Sequence, residues 1–491
     1  MRQWLTALVL SSLMVASASP LVSAQIGQPD IIQEHWYHSY ATLTLDLNEW
    51  SDDYPEIVEM FSIGQTELGR EIWMLQISDW EGGACLSGEF EGCEHFKEID
   101  EGELERKEVV YIDGGHHGNE HLGTELAFLV AEYYIEGWAN GDQSVIDILA
   151  TTELHILIML NADGNDFDTR WNVNQVDLNR NYDHYWNTCD STQPGSSAFS
   201  ESETLANSIY MNEVVPDADL YITMHTGVWI MLYPWGKWPE QPSDWEMYHH
   251  IRDEVNSNIS EIPIRNANQG LYPNCGTSRD YGYGVMGYPT FTFETDDEQF
   301  LLGTVEALSD RLGEELDVMH YLIENVWYWR ARLVVDSLEV EDGKVRLSVS
   351  NLGHSSTSNA TLLYFEDEDS MEFWLPGSNE PMEATGAMDI HERRSDFNFS
   401  VPGYGFAVNA TNSTVTTLDF TGAPISSDGL WALYYQKRVI DSSMWTSELV
   451  DEGVAEVKAD DSGLLPAPAM LLVFIAFALA AINGRNTRFD Q

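Results

Sequence analysis

The sequence predicts an α/β domain built on a mixed sheet covered by helices, followed by a small all-β sandwich and a C-terminal transmembrane segment. Three observations predict it. Strand-length apolar runs alternate with helix-length stretches up to about residue 328, the pattern of a mixed or parallel sheet with crossover helices. Near Trp329 the texture changes to short alternating segments such as Val345-Arg346-Leu347-Ser348-Val349, separated by Gly, Asn and Ser turns, which reads as a sandwich. A charge-free apolar run, Leu464 to Ile482, then reaches the length needed to cross a bilayer.

Taken in order, residues 1–24 read as a signal peptide. Arg2 supplies the positive start, Leu5 to Val15 the apolar stretch, and Val22-Ser23-Ala24 the small-residue cleavage site before Gln25. Residues 25–330 form the expected catalytic domain. Tyr40 to Phe61 reads as a helix containing the Asp52-Asp53-Tyr54-Pro55 turn. Ile72 to Ile77, Val109 to Ile112, His155 to Leu160, Leu220 to Met224 and Thr290 to Glu294 read as strands, and His121 to Trp138 as a long helix. Only a few residues separate Ala24 from the first helix, so activation by removal of a long propeptide is not expected.

Residues 331–450 are the expected sandwich. Sequons at Asn359, Asn398, Asn409 and Asn412, with one more at Asn258, make surface glycosylation the expectation for an exported β domain. Residues 451–463 form an acidic linker, 464–482 a transmembrane or sorting segment, and 483–491 a basic cytoplasmic tail with Arg485 and Arg488. The expected location is therefore the cell surface, with the catalytic domain outside and the membrane as a partner through the C-terminal segment. Removal of that segment on attachment to a lipid is the alternative.

Composition narrows the function. Of 491 residues, 81 are acidic and 23 basic, a formal charge of −58. A polyanion repels a phosphate backbone, so no nucleic-acid partner is expected. The excess reads as a solvated surface rather than a cation store. The four cysteines, Cys85, Cys93, Cys189 and Cys275, suit two disulfides in an exported protein. Cys85 with Cys93 would close a short loop, and Cys189 with Cys275 would join two loops beside the site. None has the spacing of a zinc ribbon or redox pair.

The chemistry sits at strand ends, where ligands of such sheets gather. His117 and Glu120 are three apart at a helix start, so one turn brings an imidazole and a carboxylate to the same side. With His225 they make a two-histidine, one-glutamate set that leaves a fourth position for water. A lone HxxE usually marks only a helix start, and His116 is a rival ligand, although only His117 has the right spacing to Glu120. Other segments raise the signal: Asn161-Ala162-Asp163-Gly164, Asp177-Leu178-Asn179-Arg180-Asn181, Ser200-Glu201-Ser202-Glu203-Thr204 and Phe291-Thr292-Phe293-Glu294.

From about Tyr37 to Tyr328 these segments resemble the zinc metallocarboxypeptidases related to pancreatic carboxypeptidase A, itself the standard example of the His₂Glu ligand set, so that set is recognised rather than derived. The resemblance implies an eight-stranded mixed sheet and one Zn²⁺ per chain, held by His117, Glu120 and His225. Glu294 would be the general base, taking a proton from the attacking water and returning it to the leaving amine. Arg170 would stabilise the oxyanion. Asn179 and Arg180 would hold the substrate's terminal carboxylate, and Asp177 would orient His117. Tyr272 falls on the tyrosine that closes over substrate, with Tyr283 as its rival. Arg279 falls at the base of the specificity pocket, where a cation favours a C-terminal Glu or Asp, although neutralising Asp280 is its plainer role.

The sequence also departs from the family pattern. Asn119 replaces an arginine, Thr226-Gly227 replaces Ser-Tyr, and Ala162 replaces a proline. The implied partners are peptide and protein C-termini. Two alternatives are an amidase trimming cell-wall or other acylated amino-acid peptides, and a catalytically inactive binding protein on the same fold.

Overall fold

The computed structural model describes residues 37–80, 107–190, 193–216, 218–295, 305–341 and 344–355, together with the strands at 357–365, 382–383, 404–410, 415–421, 430–438, 444–454 and 456–457. The expected signal peptide, the Cys85–Cys93 pair and the segments from 458 onward lie outside these. No helix among the described residues is long and apolar enough to cross a membrane.

The first helix, α1 (Tyr40–Asp53), starts with a reciprocal cap between Ser39 and Thr42. It is shorter than the expected Tyr40–Phe61. Pro55 disfavours helical geometry at Tyr54 and lacks an amide hydrogen for the next turn. The chain continues instead as β1 (Val58–Gln65), paired antiparallel with β2 (Glu71–Ile77). Then follow β3 (Glu108–Gly114), α2 (His121–Ala139), α3 (Gln143–Thr151), β4 (Thr152–Leu157), α4 (Ser202–Glu213), β5 (Leu220–His225), β6 (Ile230–Tyr233), α5 (Trp245–Asn258), β7 (Ile264–Asn266), β8 (Thr290–Glu294) and α6 (Val305–Glu324).

The eight strands form one mixed sheet in the order β1-β2-β4-β3-β5-β8-β6-β7. Its centre, β4-β3-β5-β8, is parallel. Every residue of β5 is buried, as are the first four of β8, so both faces of these central strands are covered. One face of the sheet packs on α2, whose Leu122, Leu126, Val130 and Tyr134 are buried with Ile112, Ile222 and Phe291. The other packs on α4, where Tyr210 and Met211 join Tyr111 and Tyr221.

β4 begins three residues earlier than expected and ends at Leu157. The apolar residues beyond it leave the regular ladder but stay beside β3, with Leu160 N donating to Gly114 O and Asn161 N to Gly115 O.

Beyond Trp329, β9 (Leu333–Glu341), β10 (Lys344–Asn351), β14 (Val415–Thr421) and β17 (Glu456–Val457) form a four-stranded sheet. β11 (Thr357–Phe365), β12 (Met382–Glu383), β13 (Tyr404–Ala410), β15 (Leu430–Arg438) and β16 (Met444–Val454) form a five-stranded one. All pairings are antiparallel except β17 with β9. The acidic stretch expected to be linker from 451 is strand at its start. Asp451 and Glu452 pair through their backbone with β15, and those hydrogen bonds do not depend on side-chain charge.

Candidate active site

β3, β5 and β8 end together, and the site stands at their carboxyl ends. The register pairs Gly114 with Met224 and His225 with Glu294. Parallel partners at one level share a face of the sheet, so His225 and Glu294 stand side by side. Three residues past β3 comes His117, in the turn before α2, and Glu120 stands at the N-cap position of α2 with its carboxylate on the histidines rather than on the helix amides. Gly118 is required here, because a Cβ would collide with the backbone of Gly164 and Asn165. The loop carrying the two ligands thus lies backbone to backbone on the Asn161-Ala162-Asp163-Gly164 turn.

His117, Glu120 and His225 are all buried, and among the described residues they are the group whose donor atoms all lie within 4.8 Å of one another. His117 Nδ1 is 2.7 Å from Glu120 Oε1, and His225 Nδ1 is 2.9 Å from Glu120 Oε2. The two Nδ1 atoms are 3.2 Å apart. The far nitrogens are engaged elsewhere: His117 Nε2 with Asp177 at 2.9 Å, His225 Nε2 with Thr223 at 3.4 Å. Two imidazole lone pairs and a carboxylate therefore converge on one point, which a divalent cation satisfies. This donor set fits zinc. His116 is not part of it, because its ring bonds Tyr182 at 2.8 Å through Nε2 and faces Asp113 and Thr223 through Nδ1.

Asp177 anchors the surroundings. One oxygen meets His117 and accepts the Asn179 amide, and the other accepts Arg170 Nε and Nη2 at 3.1 and 2.9 Å. Burial opposes its charge, yet His117, Arg180 and Arg170 hold its carboxyl well below the usual range. Arg170 also donates to Glu120 Oε1 at 3.0 Å, so without substrate its guanidinium rests on the ligand carboxylate. Thr226 was read in the sequence only as a departure. Its amide donates to Glu120 Oε2 at 3.2 Å and its hydroxyl accepts from Gly123 N at 3.0 Å, fixing Glu120 against β5. Nothing in its spacing signalled this.

Burial, and then the Glu120 charge, push the Glu294 carboxyl well above its ordinary value, while Arg170, Arg279 and Arg180 pull the other way. A cation at the ligands would add to that pull. With Nδ1 as the ligand atom, His225 Nε2 carries a hydrogen that Thr223 Oγ1 accepts at 3.4 Å; Asn179 accepts Ser278 N at 3.0 Å through Oδ1, and its Nδ2, a donor lying 3.0 Å from His225 Nε2, is left for a ligand. Arg180 donates to Asn179 O and, at 3.2 Å, to the Tyr272 hydroxyl. Tyr272 is 47% exposed, whereas Tyr283 is buried with its hydroxyl on Ser243 and Asp244, so Tyr272 alone of the two reaches the arginine. Arg279 is buried against Asp280, Asn274 and Thr292. A disulfide joins Cys189 to Cys275, pairing the two loops as expected.

The chain is similar to known proteins. The family profile described as zinc carboxypeptidase matches residues 45–310. Carboxypeptidase E of Caenorhabditis elegans is 29% identical over 189 residues, 36% of this chain and 36% of that protein. Carboxypeptidase B of Astacus astacus is 22% identical over 289 residues, 53% of this chain and 86% of that one. The match thus spans about a third of the nematode protein's length and most of the crayfish protein's. The solved structure of thrombin-activatable fibrinolysis inhibitor superposes with a TM-score of 0.50 at 21% identity, covering 63% of this chain and 79% of that one, a likeness of fold. With more than half its residues matched and a His-Glu-His centre for one zinc ion, the chain belongs to the zinc carboxypeptidase family.

Proposed function

We propose that the chain removes C-terminal amino acids from peptides and proteins by hydrolysis. The observation that carries the reading is the convergence of His117, Glu120 and His225 beside Glu294 at adjoining strand ends. When bound, zinc supplies a Lewis acid that polarises the scissile carbonyl and acidifies water. The chain's own residues do the rest. Glu294 accepts the proton of the attacking water and passes it to the leaving amine. Arg170 leaves the Glu120 carboxylate to meet the developing oxyanion. Arg180 and the free Asn179 amide hydrogen grip the terminal carboxylate, and Tyr272, already on Arg180, closes over it.

Arg279 adds a preference for C-terminal Glu or Asp. Three of its N–H groups are engaged, by Asp280, Asn274 and Thr292. A guanidinium has five, so one on each terminal nitrogen is left for a carboxylate. A charge-assisted bond is worth about 1.5–3 kcal/mol, or roughly 10- to 150-fold in preference. We also propose, from the sequence alone, that the protein is exported and held at the cell surface by residues 464–482.

The test is peptide hydrolysis with and without chelator, followed by zinc content. Glu294→Gln should retain zinc and lose about 10²- to 10⁴-fold in kcat. Peptides with an amidated C-terminus should be poor substrates. Equal turnover of free and amidated peptides would sink the exopeptidase reading.

A further inference from the structure

We propose that Asn274 is the positioning residue that sets selectivity for acidic C-terminal side chains, acting through Arg279 in a cradle that Gly236 leaves open. The inference rests on the reading of Arg279 as the base of the substrate pocket. Neither Asn274 nor Gly236 belongs to any of the sequence segments that carry the family resemblance.

The geometry is that of a built holder. Asn274 accepts from Arg279 Nη2 at 2.8 Å through Oδ1, and its Nδ2 donates to Tyr272 O at 2.7 Å. That second bond fixes the amide orientation, because the carbonyl oxygen of Tyr272 can only accept. The oxygen end of Asn274 must then face the guanidinium. The backbone is pinned as well, with Asn274 N donating to Gly236 O at 3.0 Å. Gly236 N in turn donates to both oxygens of Asp280, at 3.1 and 2.9 Å, and Asp280 Oδ1 accepts Arg279 Nε at 3.0 Å. A Cβ at Gly236 would strike Asn274 Oδ1 and Arg279 Nη2 together. Any other residue at 236 therefore displaces both partners of the contact.

The consequence is chemical. A flexible arginine spreads its attraction over many orientations, whereas one clamped on three sides presents a fixed fork, and geometry is what separates a bidentate carboxylate contact from a diffuse charge. Asp280 already neutralises part of the Arg279 charge at close range, so discrimination depends on aimed N–H groups more than on net charge. The same Asn274 side chain holds the backbone of Tyr272, which ties the selectivity group to the residue that caps the substrate.

The experiment compares matched peptides ending in Glu, Gln and Phe on the zinc-loaded enzyme. Glu and Gln have nearly the same shape, so their kcat/KM ratio isolates recognition of the carboxylate. The wild type should favour Glu over Gln by at least about 10-fold, the lower end for a charge-assisted contact. Arg279→Ile should bring the ratio to about one. Asn274→Ala should cut it by roughly 3- to 10-fold, mainly through KM for the Glu peptide, and Gly236→Ala should do the same. Asn274→Asp keeps the acceptor but places a second carboxylate on Arg279, and should not restore the preference. Zinc stoichiometry and the thermal midpoint of each variant show that it is folded. If Gly236→Ala does not fold, Asn274→Ala decides alone. A preference that vanishes in Arg279→Ile but survives intact in Asn274→Ala overturns the inference and leaves the reading of the pocket standing. A wild type that does not distinguish Glu from Gln overturns both.

Discussion

Asp177→Asn is the sharpest probe of how the metal centre is held. Asp177 and asparagine are nearly isosteric, so the change removes charge without opening a cavity. In the native site Asp177 takes four hydrogen bonds: from His117 Nε2, the Asn179 amide, and Arg170 Nε and Nη2. An asparagine keeps one acceptor oxygen. If that oxygen faces His117, the NH₂ group meets the Arg170 guanidinium, donor against donor. If it faces Arg170, the NH₂ group meets the His117 Nε2–H that Nδ1 ligation requires. Either way one partner is lost and the histidine's orientation loosens. Removing such a support typically costs about 10- to 100-fold in metal affinity, and at 1.36 kcal/mol per decade that is about 1.4–2.7 kcal/mol. The assay is competition for zinc against a chromophoric chelator at fixed pH, with kcat measured at saturating metal. Affinity should fall while kcat at saturation falls less. Unchanged zinc affinity in a folded Asp177→Asn protein would refute the claim that Asp177 supports His117.

Three further outcomes follow from other parts of the structure. His38 is buried between Glu125 and Asp46, at 2.7 and 3.0 Å. Burial opposes its charge, but these carboxylates raise its pKa to about 10 from 6.5. A raised folded-state pKa gives stability that is complete below pH 6.5 and is lost as pH climbs through about 10. The urea-midpoint gap between wild type and His38→Gln should therefore shrink between pH 7 and 10.5; a constant gap contradicts the ion pair. Cys189 and Cys275 are 86 residues apart, and loop entropy assigns such a link about 4–5 kcal/mol. The double serine variant should unfold at distinctly lower urea, and a variant as stable as wild type would show that the link constrains little. With a charge of −58, long-range repulsion of anionic peptides is screened by salt. For a peptide ending in Glu, kcat/KM should rise several-fold between about 0.02 and 0.3 M salt, and more steeply than for one ending in Phe. A falling rate would mean that Arg170, Arg180 and Arg279 dominate the approach.

The sequence reading succeeded where burial left a plain mark. β3, β5 and β8 are buried on both faces and appear as short runs rich in apolar and β-branched residues, and β8 runs from Thr290 to Glu294 as expected. The ligands were legible from the spacing of His117 and Glu120, although what brings them to one side is a tight turn before α2, closed by Glu120 N on His117 O at 3.1 Å, and not a turn of the helix itself. β6 and β7, of four and three residues, carry too few side chains for any period to stand out. β1 was absorbed into the preceding helix because only its first residue is fully buried. The contacts of Thr226 and Asn274 escaped notice for another reason. The Thr226 partners, Glu120 and Gly123, are far away in the chain, while Asn274 meets Arg279 and Tyr272 close by in a loop whose contacts follow no period, so neither leaves a local pattern. Arg170 was read by its catalytic role alone, yet its resting contact is with Glu120.

The side-by-side placement of His225 and Glu294 turns the sheet into a ruler. Neighbouring strands lie about 4.8 Å apart, and backbone pairing, with the Thr226–Thr295 hydroxyl contact at 3.0 Å just beyond it, keeps Glu294 level with His225. Insertion of one residue between Tyr288 and Thr290 that slid β8 along β5 would rotate the Glu294 carboxylate to the reverse side of the sheet. Such a protein would keep every one of its ligands, and could still take up zinc, while lacking the proposed proton acceptor at its centre.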